Sequence, residues 1–146
     1  GRIQSELTIT RFPNNISYVL SSTASEIRDF DWFNRHLNKE ETVNIKNVTK
    51  DYGVLVLAGP KSRKVLSQLT SQNLNNNDFP WLKGKEILIN KIPVRALRVN
   101  YVGELGWELH HPMSQMESLY DSIYEAGKKE NIINFGTYAV NSLRME

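Results

Sequence analysis

The sequence predicts an α+β fold, in which mixed or antiparallel sheets pack with helices. Two observations carry this. Short runs of alternating apolar and polar residues recur along the chain, several joined by turn-forming residues, which is the pattern of hairpins. Other stretches bring their apolar residues round at helical spacing, and two of these open on a capping-box sequence.

Ile3, Leu7 and Ile9 alternate with polar residues, so 3–11 reads as a half-buried strand with those three on the core side. Parity puts Ser5 on that side and Glu6 on the other. Pro13-Asn14-Asn15 is a turn signal, and 16–20 is the second strand of a hairpin. Thr23-Ala24-Ser25-Glu26 matches a capping box, and Ile27, Phe30, Phe33 and Leu37 then share one helical face. Trp32 and Phe33 read as core. Residues 43–48 read as a strand. Val54-Leu55-Val56-Leu57 is a continuous apolar run, as expected of a strand buried on both faces. Ala58-Gly59-Pro60 ends it, Pro60 suits a first helical turn, and Val65, Leu66 and Leu69 give that helix its face. Residues 70–84 read as a polar surface loop with an Asn run at 75–77. Two strands, 85–89 and 94–99, turn around Asn90-Lys91. A second capping box, Ser114-Gln115-Met116-Glu117, opens a helix to about Lys129, with Met116, Leu119, Tyr120 and Ile123 as its buried stripe. A last helix starts near Thr137.

A chain of 146 residues suits one domain with a real core. The net charge of +2 is too weak, and its charges too scattered, to argue for nucleic acid or an anionic membrane as partner. There is no cysteine, which excludes disulfides, thiolate nucleophiles and cysteine metal sites. No run approaches eighteen apolar residues, and the start carries no signal-peptide pattern. A cytoplasmic location is the default expectation. The chain opens on a strand-like alternation without an initiator methionine and stops inside a helical pattern, so we expect a piece of a longer protein.

The densest chemistry is Tyr101-Val102-Gly103-Glu104-Leu105-Gly106-Trp107-Glu108-Leu109-His110-His111. Neighbouring histidines on a strand point to opposite faces, so His110 and His111 do not form a metal site together. If 107–111 is a strand, Trp107, Leu109 and His111 share one face, and Glu108 and His110 the other. A carboxylate beside a glycine-relieved backbone can accept two parallel N–H bonds from a flat heterocycle, such as the amide edge of a pterin or guanine. Tyr101 can add a ring face or a hydroxyl. The plainer reading of Glu108 is a solvated glutamate on a sheet. Glu6 is the second carboxylate of interest, and an outward glutamate becomes a catalytic candidate only if a ligand covers its face.

Residues 101–109 resemble the Tyr-x-Gly-Glu-x-Gly-aromatic-Glu motif of the folate-binding aminomethyltransferase family, that of the glycine-cleavage T-protein. Residues 142–146 resemble its Ser-Leu-Arg-Leu-Glu segment, 1–8 its Gly-Gly-x-x-Asp-Asp-Leu stretch, and 57–63 its Leu-x-Gly-Pro-x-x-Arg turn. Ser-Glu-Leu-Thr at 5–8, Arg-Asp-Phe-Asp-Trp at 28–32 and the stretch 96–109 are most similar to dimethylglycine and sarcosine dehydrogenases. The resemblance implies a partial T-protein-like fold, with 1–146 a fragment of the folate region and both an FAD oxidoreductase region and a C-terminal barrel lying outside it. It implies tetrahydrofolate and FAD as cofactors, an N-methyl amine as substrate, and a mitochondrial matrix location if the source is eukaryotic. It implies Tyr101 and Glu108 as folate contacts and Glu6 at the position of the catalytic aspartate. There a carboxylate orients the folate amine and takes its proton as the amine attacks an iminium carbon.

Two departures stand out. The family's aspartate is Glu6 here, one methylene longer. The family's folate-contacting arginine falls on Val140, and Arg144 matches a different arginine. The alternatives are a flavin-free aminomethyl or methyl transferase, and a non-enzymatic folate-binding module. Iron–sulfur maintenance proteins of the latter type carry a cysteine motif that this chain lacks.

Overall fold

The computed structural model describes all 146 residues and divides into two compact units, Gly1–Thr49 and Lys50–Glu146. In the first, β1 (Thr8–Phe12) and β2 (Ile16–Leu20) form an antiparallel hairpin. Asn14 and Asn15 turn it with φ of 61° and 59°, a conformation asparagine tolerates better than most residues. The strand is shorter than expected. Thr8 pairs with Leu20, the last residue of β2, so nothing remains for residues 3–7 to pair with. The inward parity is also the reverse of the expected one. Phe12 and Tyr18 are buried edge to face at 6.3 Å, while Ile9 is 59% exposed and Ile3 more so. A strand's period of two means that seating Phe12 inward turns Ile9 outward.

A 3-10 turn (Thr23–Ser25) leads into α1 (Glu26–His36). The capping box does not form. The amides of Ser25 and Glu26 are taken by the backbone carbonyls of Ser22 and Thr23, leaving no role for a side-chain cap. Phe33 and Leu37 are half-buried, but Ile27 and Phe30 are exposed, and the buried residue of the helix is Asp29. Trp32 is not core: it is 50% exposed and stacks on His36 one turn later, 4.1 Å between ring centres. Residues 43–48 form no strand.

The second unit holds an antiparallel four-stranded sheet in the order β3 (Tyr52–Ala58), β6 (Gly106–Pro112), β5 (Ile92–Leu97), β4 (Gly84–Ile89), which is a Greek-key arrangement. Asn90 and Lys91 join β4 to β5, both at positive φ (45° and 69°), the signature of a type I′ hairpin turn. One face of the sheet is the core. Leu57, Trp107, Leu109, Val94, Ala96, Ile87 and Ile89 pack there with Val65 and Leu66 of α2 (Ser62–Leu66) and Leu119 and Ile123 of α3 (Met116–Gly127). β3 is buried on that face alone. It is an edge strand, and Val54 and Val56 on its other side are nearly half exposed. The second capping box is replaced by a 3-10 turn (Met113–Gln115), with the Met116 amide on the Met113 carbonyl. A further 3-10 turn (Lys128–Glu130) follows α3, and α4 (Thr137–Leu143) ends the chain. No helix is long and apolar enough to cross a membrane.

The stretch 70–84 is less a surface loop than its composition implies. Leu74 and Phe79 are buried, and Phe79 meets Trp107 edge to face at 6.2 Å. Asn75 makes this possible: its backbone carbonyl takes the Phe79 amide and its side chain the Asp78 amide, closing a turn that swings Phe79 inward. Trp81, two residues on, is 71% exposed. Phe79→Ala is therefore expected to lower the unfolding free energy by about 3–5 kcal/mol, and Trp81→Ala by less than about 0.5 kcal/mol. Denaturant unfolding of the two variants beside the parent checks the difference.

Candidate functional site

The 101–111 stretch is a pinned loop followed by the inner strand β6. Asn100 brackets the loop, accepting the Val102 amide on Oδ1 and donating from Nδ2 to the Glu104 carbonyl. Gly103 sits at φ +75°, where a side chain is strained. Gly106 is needed for space: a Cβ there would lie 2.8 Å from the Leu57 carbonyl oxygen of β3. Between them the Leu105 carbonyl accepts the Gly59 amide at 2.8 Å and Ser62 Oγ at 3.0 Å. The Gly59-Pro60 turn and the 101–109 motif, far apart in sequence, are thus one hydrogen-bonded assembly.

Within β6 the pleat sorts the side chains as expected. Trp107, Leu109 and His111 enter the core, where His111 Nδ1 donates to the Pro112 carbonyl at 3.0 Å. Glu108 and His110 lie on the opposite face. Register sets Glu108 between Val56 and Leu97, and His110 between Val54 and Arg95. Glu108 is half-buried, its side chain 28% exposed, and its polar partner is His110, Nε2 to Oε2 at 3.3 Å. Arg95 pairs with Glu86 at 3.1 Å and lies over the Tyr52 ring. No group of three or more histidine or acidic side chains is arranged to hold a metal ion.

Tyr101 lies in the loop, mostly exposed, with the Arg144 guanidinium 4.3 Å above its ring. That contact occupies one ring face and ties the 142–146 segment to the motif. Val140, where the resemblance expects an arginine, is half-buried on α4.

Glu6 belongs to the first unit. It is exposed and lies in the segment before β1 rather than within a strand. Its neighbour Ser5 is anchored, Oγ donating to Asp29 Oδ2 at 3.0 Å, and Asp29 pairs with Arg28 at 2.9 Å. Burial pushes the Asp29 carboxyl up, but the bonds from Arg28 and Ser5 outweigh it and hold it below the usual carboxylate range. Sequence reasoning gives Arg144 and His110 no site role, whereas the structure places them against Tyr101 and Glu108. The shared face of Glu108 and His110 was the available signal for His110.

The chain matches the family described as GCVT N-terminal domain over residues 1–146. It belongs to that family. Among GCVT-domain relatives, human mitochondrial dimethylglycine dehydrogenase is 44% identical over 147 residues, covering 100% of this chain and 17% of that protein. An aminomethyltransferase of Alkaliphilus metalliredigens (strain QYMF) is 25% identical over 146 residues, covering 100% of this chain and 39% of that one. The chain therefore spans well under half the length of either relative. In fold it is similar to the heterotetrameric sarcosine oxidase from Corynebacterium sp. U-96 in complex with pyrrole 2-carboxylate, with a TM-score of 0.72 at 18% identity, over 90% of this chain and 65% of that one. The GCVT-like α+β fold agrees with the sequence expectation.

Two outcomes test this geometry. Gly106→Val is expected to destabilise the domain, because the new side chain meets a β3 backbone carbonyl that cannot move without breaking the β3–β6 ladder. A lower thermal midpoint than that of Gly1→Val, whose Cβ meets nothing, checks it. The lowered Asp29 carboxyl gives stability that is full above the ordinary carboxylate pKa and is lost as pH falls through the lowered value. Asp29→Asn should therefore flatten the acid limb of a melting-temperature profile below about pH 4 and leave its shape above neutral pH unchanged.

Proposed function

We propose that this chain is the folate-binding part of an FAD-dependent dimethylglycine or sarcosine dehydrogenase that captures the oxidised N-methyl carbon as 5,10-methylene-tetrahydrofolate. The observation that carries the reading is Glu108: a half-buried carboxylate flanked by Val56 and Leu97, one oxygen held by His110 and the other free. A carboxylate so placed is short of donors, and the paired N–H groups of a pterin edge fit it. Tyr101 offers its hydroxyl and the ring face that Arg144 leaves open. Glu6, beside the anchored Ser5, is the group that orients the folate amine and takes its proton as the new C–N bond forms. Tetrahydrofolate, when bound, supplies the nitrogen nucleophiles, and FAD, held outside these residues, supplies the oxidation of the amine. By likeness to mitochondrial relatives, a eukaryotic source would place the protein in the matrix.

Titration of the native polypeptide with tetrahydrofolate tests the binding role. Glu108→Gln is expected to weaken binding about ten-fold or more, the scale of a charged hydrogen bond; an unchanged Kd removes the assignment. Glu6→Gln should slow product formation while leaving Kd within about two-fold, as expected of a group that acts in the proton-transfer step. A second reading, a flavin-free aminomethyltransferase, has in its support the match to the Alkaliphilus protein, 25% identical across the whole of this chain and 39% of that protein. Bleaching of a bound flavin by dimethylglycine or sarcosine supports the dehydrogenase, and absence of flavin from the purified protein supports the transferase.

A further inference from the structure

The histidine pair at the end of the motif belongs to no cluster of three metal-binding side chains, and of the two His111 lies on the core face. His110 points the other way, is 2% exposed, and touches the carboxylate on which the folate reading rests. We infer that His110 is a positioning residue for Glu108: its Nε2–H occupies one lone pair of Oε2 and fixes the carboxylate so that Oε1 and the remaining lone pair of Oε2 can take the ligand's paired N–H groups. The inference rests on the reading that Glu108 grips the pterin edge.

The geometry gives three reasons. Residues two apart on a strand rise about 6.6 Å, a gap that a glutamate and an imidazole leaning together can close. His110 is a stiff donor on a stiff base, because its backbone lies between Val54 of β3 and Arg95 of β5 in an antiparallel ladder on both sides. Glu108 has three rotatable side-chain bonds and apolar register neighbours, Val56 and Leu97, that offer it no hydrogen bond. A fixed donor restricts the carboxylate before the ligand arrives, so less rotamer freedom is lost on binding. The 3.3 Å separation is at the long end for an N–H···O bond, so its worth lies in orientation more than in strength.

The experiment is a double-mutant cycle in the native polypeptide, read as the Kd for tetrahydrofolate with the melting temperature followed in parallel. His110→Phe keeps the ring shape and removes the donor, and His110→Gln keeps an N–H near the Nε2 position. Expected are a loss of about five-fold for His110→Phe, recovery to within about two-fold in His110→Gln, and no further loss when His110→Phe is added to Glu108→Gln. Should the Phe variant fail to fold, His110→Gln and His110→Met carry the same comparison. A loss of the same size in both Glu108 backgrounds would make His110 a support of the fold alone and overturn the inference. A normal Kd in His110→Phe alongside a weakened Glu108→Gln would overturn it while sparing the pterin reading. An unchanged Kd in Glu108→Gln would remove that reading and the inference together.

Discussion

Strand β6 is hydrogen-bonded on both sides, to β3 and to β5, and the rest of the second unit is arranged around that double pairing. Backbone pairing fixes its register, and the pleat then fixes what each side chain can do. Trp107 and Leu109 are driven into the core against Phe79 and the helices, which anchors the strand. The same alternation sends Glu108 to the opposite face. A carboxylate on a lone hairpin would stay solvated and mobile. On an inner strand it is held at a fixed height above the sheet, between Val56 and Leu97.

The loop before β6 is pinned for a related reason. Gly106 lets the chain enter the sheet flush with the β3 backbone, and the Leu105 carbonyl is then within reach of the Gly59 amide and Ser62 Oγ. Tyr101, at the loop's far end, carries Arg144 over its ring. Three of the segments that resemble the aminomethyltransferase family thus meet through a few hydrogen bonds and one cation–π contact. Their spacing in sequence gives no hint of this, because the contacts join residues far apart in the chain, partly through backbone groups.

Strands bounded by turn chemistry were legible, whereas apolar content located β3 but misjudged its burial and suggested a strand at 43–48 that does not form. The β4–β5 hairpin is readable because Asn90-Lys91 specifies its turn, and β6 is readable because a glycine precedes a clear alternation. The apolar run 54–57 reads as doubly buried, but position at a sheet edge is a tertiary property that no local pattern encodes. Ile3 and Ile9 suggest an inward face that Phe12 overrides, and Trp32 is left outside while Asp29 is drawn in by its bonds to Ser5 and Arg28. Phe79 was hidden in a polar stretch because the turn that buries it depends on one asparagine, Asn75. Of the candidate site, the face shared by Glu108 and His110 could be read from parity. Their contact could not, since it depends on side-chain rotamers.

The exchange of aspartate for Glu6 is best judged from the segment that carries it. Within a paired strand, an extra methylene would push the carboxylate about a bond length too far, because the ladder fixes the Cα. Glu6 lies before β1, where no register constrains the backbone. Its one nearby tether, Ser5 Oγ on Asp29, is a side-chain bond that permits the main chain to shift. A longer acid can therefore bring its oxygens to the place of a shorter one if the segment withdraws, and Asp29 then limits how far it moves. Under the role proposed for Glu6, tolerance of the glutamate and the anchoring of its neighbour are one feature: a carboxylate outside the sheet needs a tether to be placed, and a tethered segment outside the sheet can accept either acid.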